Sequence, residues 1–203
     1  MQYKKLAQLY EELSSTTKRL EKTEILSKFL YHLDEEDKDV LYLLMGDIYP
    51  EYDERRIGIS EQLVIKSISK ATGTEKDKVI YEWKHMGDLG KVSEKLTKGK
   101  KQTTLSSHIL TTKKVLENLR KLPELEGKGT INKKIALITE LLTSATPMEA
   151  LYLVRTLMGD LRIGIKESTI RDSIAKAFFK EDEKAGIISS IQEAIDNSND
   201  ISE

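Results

Sequence analysis

The sequence predicts an all-α fold, a single helical domain of about ten to twelve helices with an internal pseudo-twofold repeat. Three observations lead there. Apolar residues recur at helical spacing along most of the chain, and alternating strand patterns are confined to a few residues. Only three of the 203 residues are proline, and leucine, isoleucine, lysine and glutamate are prominent, a composition that favours helices. A loop-and-helix unit also occurs twice, and two copies are too few for a solenoid.

Taken in order, residues 3–13 place Leu6, Leu9, Tyr10 and Leu13 on one helical face. A second helix over 18–32 is expected to turn Leu20, Ile25, Leu26, Phe29 and Leu30 inward. Asp34 is placed to cap a third helix that ends near Gly46, and Ser60 a fourth that Gly73 stops. Thr74 to Asp77 start a helix carrying Val79, Ile80, Trp83 and Met86, with Trp83 assigned to the core. The turn Gly87-Asp88-Leu89-Gly90 leads to a short helix ending near Leu96. Residues 97–110 are polar and basic and form the longest expected loop. A helix over 112–122 is expected to end before Pro123. Gly127-Lys128-Gly129-Thr130 opens a long helix through Leu142. Thr146, Pro147 and Glu149 supply the N-cap, first position and third position of a capping box. The last helices lie near 166–179 and 182–197.

The repeat is specific. Leu44-Met45-Gly46-Asp47, a short insertion, and Arg56-Ile57-Gly58-Ile59 form the first copy; residues 157–165, Leu-Met-Gly-Asp-Leu-Arg-Ile-Gly-Ile, form the second. The following helices match at Glu61/Glu167, Ser67/Ser173, Ile68/Ile174, Lys70/Lys176 and Ala71/Ala177, all 106 positions apart, so nothing is inserted after the glycine loop. The half-repeats cover about 18–73 and 130–180 of one domain spanning residues 1–203, joined by a basic segment over 95–134.

Cysteine is absent, which removes disulfides, thiol chemistry and thiolate zinc sites. No apolar run spans a bilayer and no signal-peptide pattern is present, so a soluble, cytoplasmic protein is expected. The net charge of −1 conceals an asymmetry. Residues 95–134 hold eleven basic and three acidic side chains, net +8, whereas the tail after Lys180 carries net −6.

Enzyme signatures fail. His32, His85 and His108 form no ligand pair, the Gly127-Lys128-Gly129-Thr130 stretch lacks the full phosphate-loop spacing, and there is no nucleophile elbow. The loops suit another task. Glycine lets a backbone approach a ligand closely, an adjacent arginine can enter a groove of negative potential, and each loop feeds a helix N-terminus that favours phosphate. Gly159, Arg162 and Gly164, with Arg56 and Gly58, are therefore candidate duplex contacts. Lys128, Gly129, Thr130 and Lys133 offer a phosphate site at a helix start, and Lys100 and Lys101 add charge in the basic loop. The other reading open at this point is a helical protein-interaction scaffold whose loops only close helix pairs.

On Met158 to Glu167, Gly87-Asp88-Leu89-Gly90 and Gly127-Lys128-Gly129-Thr130 with Lys133 and Lys134, the chain resembles the N-terminal DNA-binding domain of archaeal-type ATP-dependent DNA ligases, from about Tyr3 to Asp200. The resemblance implies an all-helical domain that grips nicked duplex across the minor groove, without reading sequence, for nick sealing in replication, repair and recombination. Carried over, Gly159, Arg162, Gly164 and Lys133 become groove or backbone contacts; Asp160 departs from eukaryotic members, which can carry a basic residue there. The family's adenylated lysine lies in a K-x-D-G motif that this chain lacks. The chain is thus expected to be a fragment or separately made domain, without cofactor and non-catalytic alone, with ATP and Mg2+ used by the parent's catalytic domains. Gln102 and Leu105 match the start of the Q-x-x-h-x-x-a-a peptide that docks on sliding clamps, with His108 and Ile109 in place of the aromatic pair.

Overall fold

The computed structural model describes residues 1–99, 109–180 and 184–202. Among them are eleven α-helices and one 3-10 turn, and pairing of extended backbone is limited to a single bridge between Gln2 and Thr111. The all-α expectation therefore holds. The helices are α1 (Tyr3–Ser14), α2 (Arg19–Tyr31), α3 (Val40–Met45), α4 (Glu61–Thr72), α5 (Lys76–Met86), α6 (Leu89–Lys98), α7 (Thr112–Glu124), α8 (Thr130–Ser144), α9 (Pro147–Leu157), α10 (Glu167–Phe178) and α11 (Lys184–Ser198). No described helix is long and apolar enough to cross a membrane.

Contacts divide the chain into two compact units, one of Met1–Ala7 with Arg56–Leu161, the other of Gln8–Arg55 with Arg162–Glu203. The chain leaves one unit and enters the other inside each glycine loop, at Arg55/Arg56 and at Leu161/Arg162.

In the first unit α6 packs on α9, and α4 on α8. The Thr146 capping box forms as expected, with the Thr146 hydroxyl and the Glu149 carboxylate each accepting the other's backbone N–H. Such a cap contributes about 1 kcal/mol. Every residue of α9 from Glu149 to Leu157 is buried. Its one buried cation, Arg155, donates from Nε and Nη2 to the Asp88 carboxylate at 3.2 and 2.8 Å. Asp88 also accepts the Gly90 and Lys91 amides, and a Cβ on Gly90 would meet the Leu151 carbonyl at 2.8 Å. The Gly87-Asp88-Leu89-Gly90 stretch is thus a cap and a close helix contact that hold α6 against α9.

In the second unit α2 packs on α10, and α10 on α11. The Tyr10 hydroxyl donates to the Leu43 carbonyl, and Tyr42 donates to Asp200 at 2.8 Å.

Several expectations need correction. Leu20 is 82% exposed; the buried face of α2 is Lys22, Thr23, Leu26, Ser27 and Leu30, so three of the five side chains it turns inward are polar. Trp83 is half-buried, and Val79 is the fully buried side chain of α5. Asp34 and Ser60 occupy cap positions but their side chains make no cap bond, and the third helix begins only at Val40, after the 3-10 turn Glu35–Asp37. Helix α7 runs through Pro123 to Glu124, since a proline in the last turn forfeits only one amide bond.

Candidate nucleic-acid interface

Each copy of the repeat begins with the same helix ending. Gly46 and Gly159 are left-handed, with φ of 81° and 66°. One residue on, Asp47 donates to the Tyr42 carbonyl and Asp160 to the Arg155 carbonyl, at 2.9 and 3.0 Å. Both close a Schellman turn, which answers the helix's last free carbonyls where only glycine avoids a Cβ penalty. The helices after the loops match as well. Ser67 and Ser173 are wholly buried and each donates its hydroxyl to the carbonyl four residues back, while Val64 and Ile170 are buried at equivalent places.

The second loop alternates. Leu161 and Ile163 are buried, and Arg162 and Gly164 between and after them are exposed. Arg162 has φ of 58°, a left-handed value uncommon for a residue with a side chain, and Gly164 has 61°. Under this loop lies Lys22 from α2, 6% exposed, donating its ammonium to the Ile163 and Gly164 carbonyls at 2.5 and 2.9 Å. Burial holds its pKa below the usual lysine range. Helix α10 then starts at Glu167 with no side-chain cap; the Thr169 amide donates back to the Lys166 carbonyl at 2.8 Å, and the Glu167 and Ser168 amides have no acceptor among the described residues.

The first loop is looser. Arg56 and Gly58 are exposed, Gly58 with φ of 54°, while Ile57 and Ile59 are only half-buried. The insertion ahead of it is acidic and largely exposed, and it closes on itself: Arg55 donates to Asp53 at 2.6 Å and lies 4.0 Å over the Tyr49 ring.

The third predicted site forms a helix start. Gly127 and Gly129 are left-handed, the Thr130 hydroxyl donates to the Gly127 carbonyl at 2.9 Å, and α8 begins without a side-chain cap. Lys128, Gly129 and Lys133 are exposed and Thr130 half-buried. Helix α8 packs on α4, the helix that follows the first loop. Lys100, Lys101, Gln102 and Leu105 lie outside the described residues. Among those described, no group of three or more His, Asp or Glu side chains is placed to hold a metal ion.

Sequence reading passed over two residues at the second loop. Lys166 is exposed at the N-cap of α10, and Lys22 lies buried beneath the loop.

The chain matches the family model described as DNA ligase N terminus over residues 2–175, a stretch that holds both glycine loops and the α8 start. It belongs to the DNA ligase N-terminal family. Curated relatives agree. The DNA ligase of Methanosphaera stadtmanae is 43% identical over 180 residues, 87% of this chain and 32% of that protein. The DNA ligase of Methanothermobacter thermautotrophicus is 42% identical over 177 residues, with the same coverage of each. That of Thermococcus fumicolans is 37% identical over 179 residues, 88% of this chain and 32% of that one. This ligase N-terminal chain therefore spans about a third of the length of the relatives it matches.

Proposed function

We propose that this chain binds nicked double-stranded DNA through its phosphates and minor groove, without reading sequence, as the DNA-binding part of an ATP-dependent ligase. One observation carries the reading: in a ligase-family chain, Arg162 and Gly164 stand exposed on a left-handed turn whose neighbours Leu161 and Ile163 are buried. A guanidinium held on an anchored turn loses less conformational freedom on meeting a groove than one on a free loop. Exposed Lys128 and Lys133 beside the uncapped start of α8 suit a phosphate, and so does the uncapped start of α10. Nick sealing then falls to other domains of the parent, which use ATP and Mg2+, while this part holds the duplex for them. A sliding clamp is a further proposed partner, through Gln102 and Leu105.

The test is a gel-shift series on nicked duplexes of unrelated sequence at several salt concentrations. The expected affinity falls with a log–log slope of about −0.9 per neutralised phosphate. Arg162→Ala should weaken binding equally for every sequence. Unchanged affinity and slope in that variant would remove the loop from the interface, and an absence of salt-dependent retention in the wild type would favour the protein-interaction scaffold.

A further inference from the structure

We infer that Lys22 is a positioning residue for the second glycine loop, an inference that rests on the DNA-binding reading above and assigns the group that aims the loop. A lysine 94% buried normally faces a carboxylate; among the described residues Lys22 faces two backbone carbonyls and no acidic side chain. Those carbonyls belong to consecutive peptide units, Ile163–Gly164 and Gly164–Ile165. In a trans peptide the N–H points opposite to the C=O, so drawing both carbonyls toward the ammonium turns the Gly164 and Ile165 amides away from it. Neither amide has an acceptor among the described residues.

Lys22 therefore does two things to the loop. It fixes the direction of two unused donors beside exposed Arg162, and it sets a positive charge, unopposed by any carboxylate among the described residues, behind them. Two aligned amides backed by a cation form a concavity suited to a phosphate oxygen. The close fit is part of the device: a Cβ on Gly164 would come within 2.6 Å of the Lys22 Nζ, so glycine is what lets the ammonium reach both carbonyls. On the first loop, among the described residues, a Cβ on Gly58 would meet the Arg56 carbonyl at 3.6 Å rather than a lysine ammonium.

The experiment is a double-mutant cycle on the 203-residue chain, with nicked-duplex affinity as readout and the loop amides followed by NMR in the absence of DNA. Lys22→Met keeps the stem and removes the donors. It should lower affinity about tenfold in the wild-type background and in Lys133→Ala, but less than about threefold in Arg162→Ala, because groups acting through one loop couple and distant ones add. Without DNA, the Gly164 and Ile165 amide resonances should shift and broaden in Lys22→Met, and the wild-type Lys22 ammonium protons should exchange slowly. Equal losses in all three backgrounds, or no loss, would overturn the positioning role. So would a rapidly exchanging wild-type ammonium, a measurement that needs no variant to fold. If the wild type fails to retain duplex at low salt, the DNA-binding reading falls, while the two DNA-free measurements still decide whether Lys22 grips the loop.

Discussion

In the second glycine loop Leu161 and Ile163 are buried and Lys22 ties down two carbonyls; in the first, Ile57 and Ile59 are half-buried and, apart from these neighbours, no described side chain lies within 4 Å of where a Cβ on Gly58 would sit. The same Arg-Ile-Gly-Ile therefore ends up held in one copy and loosely tethered in the other. The difference begins upstream. Gly46 and Gly159 are 113 positions apart and Arg56 and Arg162 only 106, so the first copy carries seven more residues between its Schellman turn and its arginine. A short link lets the turn and the buried leucine hand the chain straight to the loop. The longer link needs its own closure, the Asp53–Arg55 pair and the stack of Arg55 on Tyr49. Duplication thus supplies the motif, and the residues packed beneath it decide whether it is rigid.

The largest expected difference lies just before the loops, at positions 113 apart. Arg155, preceding the second loop, is paired in the interior with Asp88, whereas Tyr42, preceding the first, donates to Asp200. Asp88→Ala leaves a buried guanidinium without its carboxylate and should cost about 3–5 kcal/mol. Tyr42→Phe removes one neutral donor and should cost about 1 kcal/mol. Calorimetric unfolding separates them, since each 1 kcal/mol moves the midpoint of a chain this size by about 2–4 °C. Equal midpoints would mean that the two copies are anchored alike.

Next in size is the pair of glycines. Both have positive φ, so alanine at either costs about 1–2 kcal/mol in backbone strain. At Gly164 the new methyl must also displace the Lys22 ammonium from two carbonyls, which adds about 2 kcal/mol. Urea unfolding should therefore rank Gly164→Ala well below Gly58→Ala. Equal losses at the two glycines would show that the buried lysine relaxes freely.

What the sequence made legible is what local chemistry decides. The Thr146 capping box, the helix stops at Gly46 and Gly73, and the apolar face of α1 are set by residues within a turn or two of one another. Both glycine loops and their exposure followed from the repeat. Lys22 was out of reach because its acceptor lies 141 residues away, and a lysine among leucines reads as solvent-facing until that neighbour is known. Leu20 fails for the converse reason: its spacing fits the inner face, but the fold buries Lys22 and Ser27 instead. Asp88 was seen as a turn residue, and nothing within ten residues of it announces Arg155.

A smaller contrast concerns DNA retention. Arg162 stands on an anchored turn, whereas Arg56 follows Glu51, Asp53 and Glu54 and sits between exposed Arg55 and half-buried Ile57. On the proposed function, Arg162→Ala should lower nicked-duplex affinity about tenfold and flatten the salt slope by about one phosphate, and Arg56→Ala should lower it only about threefold. Equal losses would make the two loops equivalent contacts and break the distinction drawn between them.

The smallest effect is a pH dependence confined to one copy. Burial pushes the Tyr42 phenol up to about 12; the Ser202 hydroxyl opposes this and the adjacent Asp200 carboxylate adds to it. A phenol whose pKa is raised by folding is more readily ionised in the unfolded chain. Its contribution to stability is therefore complete below pH 10, the ordinary tyrosine value, and is lost as the pH climbs toward 12. Near pH 11 the loss should reach about 1 kcal/mol. Urea unfolding of wild type and Tyr42→Phe, run as a pair from neutral to alkaline pH, isolates it, because every other titrating group is common to both proteins. Their stability difference should be constant to about pH 10 and shrink above it. At the matching position of the second copy stands Arg155, which offers no phenol, so the Asp88→Ala penalty should not follow that curve. A wild-type-minus-Tyr42→Phe difference that stays flat to pH 11 would mean that the Tyr42–Asp200 contact is open to solvent, and that the first loop's anchor is weaker still.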